Sequence, residues 1–164
     1  MDTSISQRVR AEPGAIFQLA AAVENWPRIL PHYRSVRVLA SASPERRTVE
    51  MAARRDVVGR LGIPLRWTAI ETIFPALARI EFEHVRGITR GMRVAWTIER
   101  TGDGTVLVSI RHLFTPRWPV PAGLVRLIVG DYFVNGVARR TLRHIAALAE
   151  TGASAGGGHV AKGA

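Results

Sequence analysis

The chain has 164 residues, of which 47% are hydrophobic, enough for the core of one domain. It contains no cysteine, which excludes disulfides, thiolate nucleophiles and cysteine-bound zinc. No apolar run approaches the ~18 residues that a membrane span needs, and the N-terminus lacks an apolar signal sequence. We therefore expect a soluble, cytoplasmic protein.

The formal net charge is +10, and Lys162 is the only lysine, so nearly all of the 23 basic residues are arginine. We interpret this lysine-poor balance mainly as a product of genomic base composition. The alternative is an anionic partner such as RNA, a membrane surface or an acidic ligand, because this much charge on a small domain creates a long-range field.

The N-terminal part of the chain predicts a strand, a short helix and a corner. Residues 4–10 alternate between polar and apolar side chains, which is typical of a half-exposed strand. Pro13 stands where helices begin, directly before an apolar run. Asn25 is placed to cap a second helical turn, and Pro31 ends that turn.

The middle of the chain predicts one strand after another. Residues 34–40 alternate again, with Val36 and Val38 on the predicted buried face. The pair Asp103-Gly104 indicates a tight hairpin, because these residues tolerate the positive φ angles of such a turn. Five further strands are predicted at about 46–57, 64–74, 78–86, 91–101 and 104–115.

A long amphipathic helix is predicted after the proline-rich connection at residues 116–121. Apolar residues recur at helical spacing from Leu124 to Leu148, which indicates roughly 28 helical residues and about 42 Å of length. The glycine-rich residues 151–164 lack periodicity and are expected to be a flexible tail. Residues 1–150 are then one ligand-binding domain.

The order of elements and the segment VENWPRILPHY at residues 23–33 resemble the polyketide cyclase/dehydrase and lipid-transport family. That family belongs to the superfamily of the START lipid-transfer domains and the birch-pollen allergen, and the resemblance covers about residues 3 to 150. It implies an α+β helix-grip fold, in which a curved antiparallel sheet of about seven strands wraps around a long C-terminal helix. Two short helices follow the first strand, and a deep cavity separates sheet and helix.

Strand parity predicts the lining of that cavity, because every second side chain of a strand faces the same side. His84 shares its side with Phe82, and His112 shares its side with Ile110. An apolar chamber with a few polar groups is the composition of a small-molecule site. The side chains predicted to face the cavity and contact a ligand or act on it are Arg55, Trp67, Glu71, Phe82, His84, Trp96, His112 and Phe114.

Two residues bear on a cyclase activity. Tyr33 matches the cavity-facing tyrosine of the family's aromatase/cyclases, which also carry an arginine near the middle of the sheet. Aligning Trp67 with their tryptophan puts Glu71 at the place of that arginine, which departs from the cyclase pattern. A glutamate facing the cavity has a raised pKa unless it is paired, for example with Arg55, and such a group serves as an acid or base. The alternative is that Glu71 faces solvent or sits in an ion pair.

The remaining candidates each have a functional and a structural interpretation. His84 and His112 are candidate acid and base groups or carbonyl-orienting groups, since imidazole titrates near neutral pH, and the alternative is a satisfied core histidine. The Tyr33 hydroxyl reaches a ligand or caps a backbone group, and the rings of Trp67 and Trp96 stack on a ligand or fill the core. Asp131 and Asn135, one helical turn apart, are candidate polar contacts at one end of the chamber or face solvent.

Three functions remain open. The first is binding or transport of a lipid, isoprenoid or polyketide. The second is a polyketide cyclase or dehydratase that uses cavity His, Glu and Tyr side chains. The third is an arginine-rich RNA- or ribosome-binding module, although nucleic acid is the less favoured partner. The loops at 58–62 and 85–91, with Trp118, are candidate gates that touch an anionic membrane surface. No cofactor or metal is expected, because no pattern of ligand spacing is present.

Overall fold

The computed structural model describes residues 2–58, 61–114, 123 and 136–156, and at 55–58, 61–64 and 154–156 it describes the backbone alone. No helix within these residues is both long enough and apolar enough to cross a membrane. The strands are β1 (Asp2–Val9), β2 (Tyr33–Ser43), β3 (Arg46–Val58), β4 (Leu61–Phe74), β5 (Arg79–Gly87), β6 (Met92–Arg100) and β7 (Val106–Phe114), and the α-helices are α1 (Pro13–Ala21), α2 (Trp26–Ile29) and α3 (Arg139–Gly156).

All seven strands belong to one antiparallel sheet with the order β1-β7-β6-β5-β4-β3-β2. Helices α1 and α3 pack against each other and against one face of this sheet. Along β5, β6 and β7 buried and more exposed residues alternate, so a single file of each strand enters the core. The predicted helix-grip architecture is confirmed.

The β6–β7 hairpin closes where Asp103-Gly104 predicts it. Gly104 has a φ of +79°. The carboxylate of Asp103 accepts hydrogen bonds from the backbone N–H and the hydroxyl of Thr105. These local bonds fix the register in which Val106 lies opposite Arg100.

The second half of β2 corrects the predicted buried face. Val38 is 40% exposed and Leu39 is 51% exposed, whereas Tyr33 at the start of the strand is buried. β2 is an edge strand, and its pairing with β3 is interrupted by irregularities after Tyr33, Val38 and Ser41. Such bulges break strict alternation, so parity does not carry through to Ser43.

The corner between α1 and α2 is held by tertiary contacts and not by the predicted cap. Asn25 ends a 3₁₀ turn with φ −82° and ψ −14°, so its backbone is already helical and its side chain makes no cap hydrogen bond. The indole Nε1–H of Trp26 instead donates to the carbonyl oxygen of Leu19 at 3.1 Å. Pro13 begins α1 as predicted.

Helix α3 begins after a π-helical turn at residues 136–138 and ends at Gly156. Its end lies beyond residue 150, so residues 151–156 of the predicted tail are helical. Most of the first half predicted for this helix, residues 124–135, lies outside the described residues. The face toward the sheet carries the buried side chains Ala138, Thr141, Leu142, Ile145, Ala146 and Ala149.

Gly87, at the end of β5, lies closely against β4. Its φ is +95°, and a Cβ atom at this position would lie 2.6 Å from the carbonyl oxygen of Arg66 and 3.0 Å from the Cα of Trp67. Both neighbours are backbone atoms of a paired strand, so neither moves without disturbing the sheet. The position therefore requires glycine for its φ angle and for the space.

Replacing Gly87 with alanine should lower the free energy of unfolding by about 1–3 kcal/mol, because both the φ angle and the contact with β4 become strained. Chemical denaturation measures this change. The matched control is Gly102→Ala, where a Cβ meets nothing within 4 Å. Equal stability of the two variants would contradict the assignment.

Candidate ligand-binding site

A cavity lies between the sheet and the start of α3, with a volume of about 40 Å³. This volume has room for one or a few water molecules. Its walls come from β2 to β7, from α2, from the π-helical residues before α3 and from the first turn of α3. The lining residues are Trp26, Tyr33, Met51, Trp67, Phe82, His84, Val94, Trp96, Ile110, His112, Val137, Ala138 and Thr141.

Aromatic rings fill most of the space around this cavity. The Trp26 ring lies 4.9 Å from Tyr33, edge to face, and 6.2 Å from both Phe82 and Trp96. Such pairs stabilise a core beyond the area they bury, by about 0.5–1.5 kcal/mol each. Trp26 therefore joins the helix corner to three strands at one wall of the cavity.

His84 and His112 face the same cavity, as strand parity predicts. His84 Nδ1 lies 2.7 Å from the hydroxyl of Thr89, and its ring stacks on Trp67 with centroids 5.8 Å apart. Burial, with a smaller contribution from His112, lowers the pKa of His84 to about 3. Burial lowers the pKa of His112 to about 4. Both imidazoles are therefore neutral at neutral pH.

The Nδ1 atom of His112 is buried and has no hydrogen-bond partner among the described residues. A buried polar atom without a partner costs about 1–3 kcal/mol. A neutral imidazole nitrogen donates or accepts according to its tautomer, so Nδ1 suits either a carbonyl or a hydroxyl group. This atom is the clearest unmet polar group beside the cavity.

Thr141 forms the partition between the cavity and the outer surface. Its hydroxyl donates to the carbonyl oxygen of Val137 at 3.0 Å and lies 2.9 Å from His32 Nε2. Because a hydroxyl has one hydrogen, His32 donates from Nε2 to the Thr141 oxygen. The side chain of Tyr33 lies beside the same threonine, and burial raises the pKa of that tyrosine. The partition thus brings together an imidazole, a hydroxyl and a phenol.

Glu71 is fully buried but is not among the residues that line the cavity. Its Oε2 accepts from Arg47 at 2.9 and 2.7 Å, and the same guanidinium contacts Glu24 and the carbonyl oxygen of Ala21. The predicted pairing with Arg55 is therefore wrong, because Arg47 lies directly opposite Glu71 in the sheet. Burial raises the pKa of Glu71 to about 7, against the opposite effect of the Arg47 charge.

The other predicted residues divide into three groups. Tyr33, Phe82, Trp67 and Trp96 line the cavity with the two histidines, whereas Phe114 is buried in the core without lining it. Asp131, Asn135 and the side chain of Arg55 lie outside the described residues. Sequence reasoning missed Trp26, Val137 and Thr141, whereas Met51 lies on a strand file predicted to face the cavity and Ala138 lies on the apolar face predicted for the C-terminal helix.

The predicted gates are only partly described. In the loop at 85–91, Thr89 is fully buried against His84, and the N–H of Gly91 donates to the carbonyl oxygen of His84 at 2.9 Å. Residues 59–60 and Trp118 lie outside the described residues. Gating by these loops stays a prediction.

Replacing Glu71 with glutamine should change how stability depends on pH. Because the folded pKa of Glu71 lies above its ordinary value of 4.5, wild-type stability falls relative to the variant as pH rises from about 4.5 to about 7. The difference in the free energy of unfolding should reach about 3 kcal/mol. Denaturant titrations across this range measure it, with Ile73→Val as a non-titrating control, and parallel curves would contradict the raised pKa.

For His112 the change of stability with pH has the opposite sign to that for Glu71. Its folded pKa lies below its ordinary value of 6.5, so the stability present above about pH 6.5 is lost as pH falls toward about 4. Over that interval, the free energy of unfolding of a His112→Gln variant should fall by up to about 3 kcal/mol less than that of the wild type. Acid titration of unfolding tests this, and Val108→Ala should leave the slope unchanged. An unaltered slope in His112→Gln would show that the imidazole is not kept neutral by the fold.

Comparison with known proteins supports the sequence resemblance. The family model for polyketide cyclase / dehydrase and lipid transport matches residues 9–139. A granaticin polyketide synthase bifunctional cyclase/dehydratase from Streptomyces violaceoruber is 30% identical over 146 residues, 88% of this chain. The chain spans only 42% of that relative's length.

Solved structures agree on the fold. The Zhui aromatase/cyclase from Streptomyces sp. R1128 has a TM-score of 0.75 at 17% identity, with 96% of this chain and 98% of that chain covered. A START superfamily protein from Mycobacterium smegmatis has a TM-score of 0.60 at 18% identity, with 94% and 97% covered. At such identities the likeness concerns the fold alone. Because the family model matches residues 9–139, most of this chain, the chain belongs to the polyketide cyclase/dehydrase and lipid-transport family.

Proposed function

We propose that this protein binds a hydrophobic small molecule, such as a lipid, isoprenoid or polyketide, between the sheet and α3. The observation that carries the proposal is the Nδ1 of His112, which has no hydrogen-bond partner among the described residues and lies beside a mostly aromatic and aliphatic lining. A ligand carbonyl or hydroxyl at this nitrogen would remove the cost of leaving it unbonded. Burial of the apolar part of the ligand would contribute roughly 25 cal/mol per Å².

The size of the cavity defines what binding requires. Ligand pockets usually measure about 300–1,000 Å³, far more than the roughly 40 Å³ present here. Uptake therefore requires the rings and the first turn of α3 to move apart. Val137, Ala138 and Thr141 supply the helix side of the wall, and the hydrogen bond that His32 donates to Thr141 ties that side to the residue before β2.

Uptake by the purified, delipidated protein tests this proposal. Oleate, farnesol and an anthraquinone serve as probes, and native mass spectrometry reports bound molecules. Ala138→Leu places extra bulk in the cavity and should weaken uptake about tenfold. Ala153→Leu makes the same change on the exposed side of α3 and should leave uptake unchanged. Failure of the wild type to bind any probe, or equal uptake by both variants, would overturn the proposal.

A second candidate is a cyclase or dehydratase, and the pair of cavity histidines favours it. The granaticin relative carries that activity in its name. With pKa values of about 3 and 4, His84 and His112 suit hydrogen bonding to a ketone better than proton abstraction, because a good general base has a pKa near the working pH. A neutral imidazole that polarises a carbonyl is a known catalytic arrangement.

Product analysis with a linear poly-ketone substrate separates the two candidates. In the enzymatic case, His112→Gln and His84→Gln alter the distribution of cyclised and dehydrated products, since both side chains line the cavity. Glu71→Gln serves as the control, because Glu71 lies outside that lining. Identical products from all variants and from a reaction without protein would exclude this activity.

A further inference from the structure

A second concave site lies on the outer side of the partition, between α3 and the start of β2. It has a volume of about 540 Å³, more than ten times that of the inner cavity. We call it the basic groove. Its lining residues are Pro31, His32, Arg34, Arg54, Arg140, Arg143, His144 and Ala147.

Helix periodicity builds one wall of the basic groove. Arg143 and His144 lie three and four residues after Arg140, and Ala147 lies three residues after His144, so all four share one face of α3. This face is turned away from the buried one that carries Leu142 and Ile145. The short side chain of Ala147 leaves space at the end of the row.

The sheet builds the opposite wall through an irregularity. The pairing of β2 with β3 shifts between Tyr33 and Ser35, so Arg34 is the extra residue at a bulge. Beside it the backbone N–H of Arg54 donates to the carbonyl oxygen of His32 at 2.8 Å. Tyr33 therefore points into the inner cavity while its two neighbours in the chain line the groove.

The described lining of the basic groove is rich in positive charge. Four arginines and two histidines line it, and none of the described residues in its lining is acidic. Elsewhere in the described chain, arginines such as Arg8 and Arg111 are paired with aspartates. Neither Arg34 nor Arg143 forms such an ion pair with a described acidic side chain. Burial, and then the charges of His144 and Arg140, lower the pKa of His32 to about 4.

We propose that the basic groove binds a phosphate-type anion, as a phosphate monoester or diester. Guanidinium groups present paired N–H donors that match two phosphate oxygens, and Arg34 and Arg143 reach the groove from opposite walls. The ring of His144, which is exposed, lies 6.0 Å from that of His32 and lines the same groove. This site is separate from the inner cavity, so anion binding here does not depend on whether that cavity takes up a ligand.

Calorimetric titration of the full chain with inorganic phosphate and with glycerol 3-phosphate tests the proposal. The double variant Arg34→Gln/Arg143→Gln should weaken binding about tenfold or more. The matched control Arg93→Gln removes an exposed arginine from the sheet face opposite α3 and should change the affinity less than about twofold. Nuclear magnetic resonance of the imidazole nitrogens of His32 and His144 should show shifts on phosphate addition in the wild type.

Vesicles distinguish the source of the phosphate group. Binding to phosphatidylglycerol vesicles but not to pure phosphatidylcholine, with loss in the double variant, assigns a lipid headgroup. Binding of glycerol 3-phosphate without vesicle binding assigns a soluble phosphate ester. The proposal is overturned if no probe binds, or if the double variant and Arg93→Gln weaken binding equally, because the effect is then one of net charge.

Discussion

The indole of Trp26 fixes the α1–α2 corner against the sheet, and the cavity depends on that placement. The ring is held by the carbonyl oxygen of Leu19 on one side and by three aromatic rings on the other. The same corner is tied a second time, because Arg47 joins Glu71 of the sheet to Glu24 and to the end of α1. Removing the corner would expose both the aromatic wall and a buried carboxylate.

Burial acts on the interior ionisable groups in one direction, toward their neutral forms. Burial lowers the pKa values of His84 and His112, which keeps both imidazoles uncharged. Glu71 has a counter-ion, since Arg47 lies beside it, and that pair stands apart from the cavity. Among the described residues that line the cavity, none is acidic and none is an arginine, although the chain has a net charge of +10. This separation suits an apolar ligand inside and an anion outside.

Much of the fold follows from the sequence, because alternation and turn chemistry are local. Parity placed Trp67, His84, Trp96 and His112 on the correct side without any knowledge of the register. The partner of Glu71 was not predictable in this way, since cross-strand pairing depends on where the β3–β4 turn is centred.

Two further features lay beyond local patterns. Bulges interrupt β2, so Val38 is exposed and the prediction of its burial is wrong, although the strand itself is present. The volume of the cavity cannot be predicted from strand parity either, because parity gives the direction of a side chain and not the distance between the sheet and the helix. Local patterns do not predict the basic groove, because Arg34 and Arg143 are far apart in the chain and line one groove only in the folded structure.

The π-helical turn at residues 136–138 sets the rotational phase of α3. Each residue of an α-helix advances it by about 100°, so one residue more in this turn would carry Arg140 and His144 to the positions of Thr141 and Ile145. Two basic side chains would then face the sheet, and the threonine that closes the partition would leave it. The number of residues in this one turn thus determines which side chains of α3 cover the cavity and which line the basic groove.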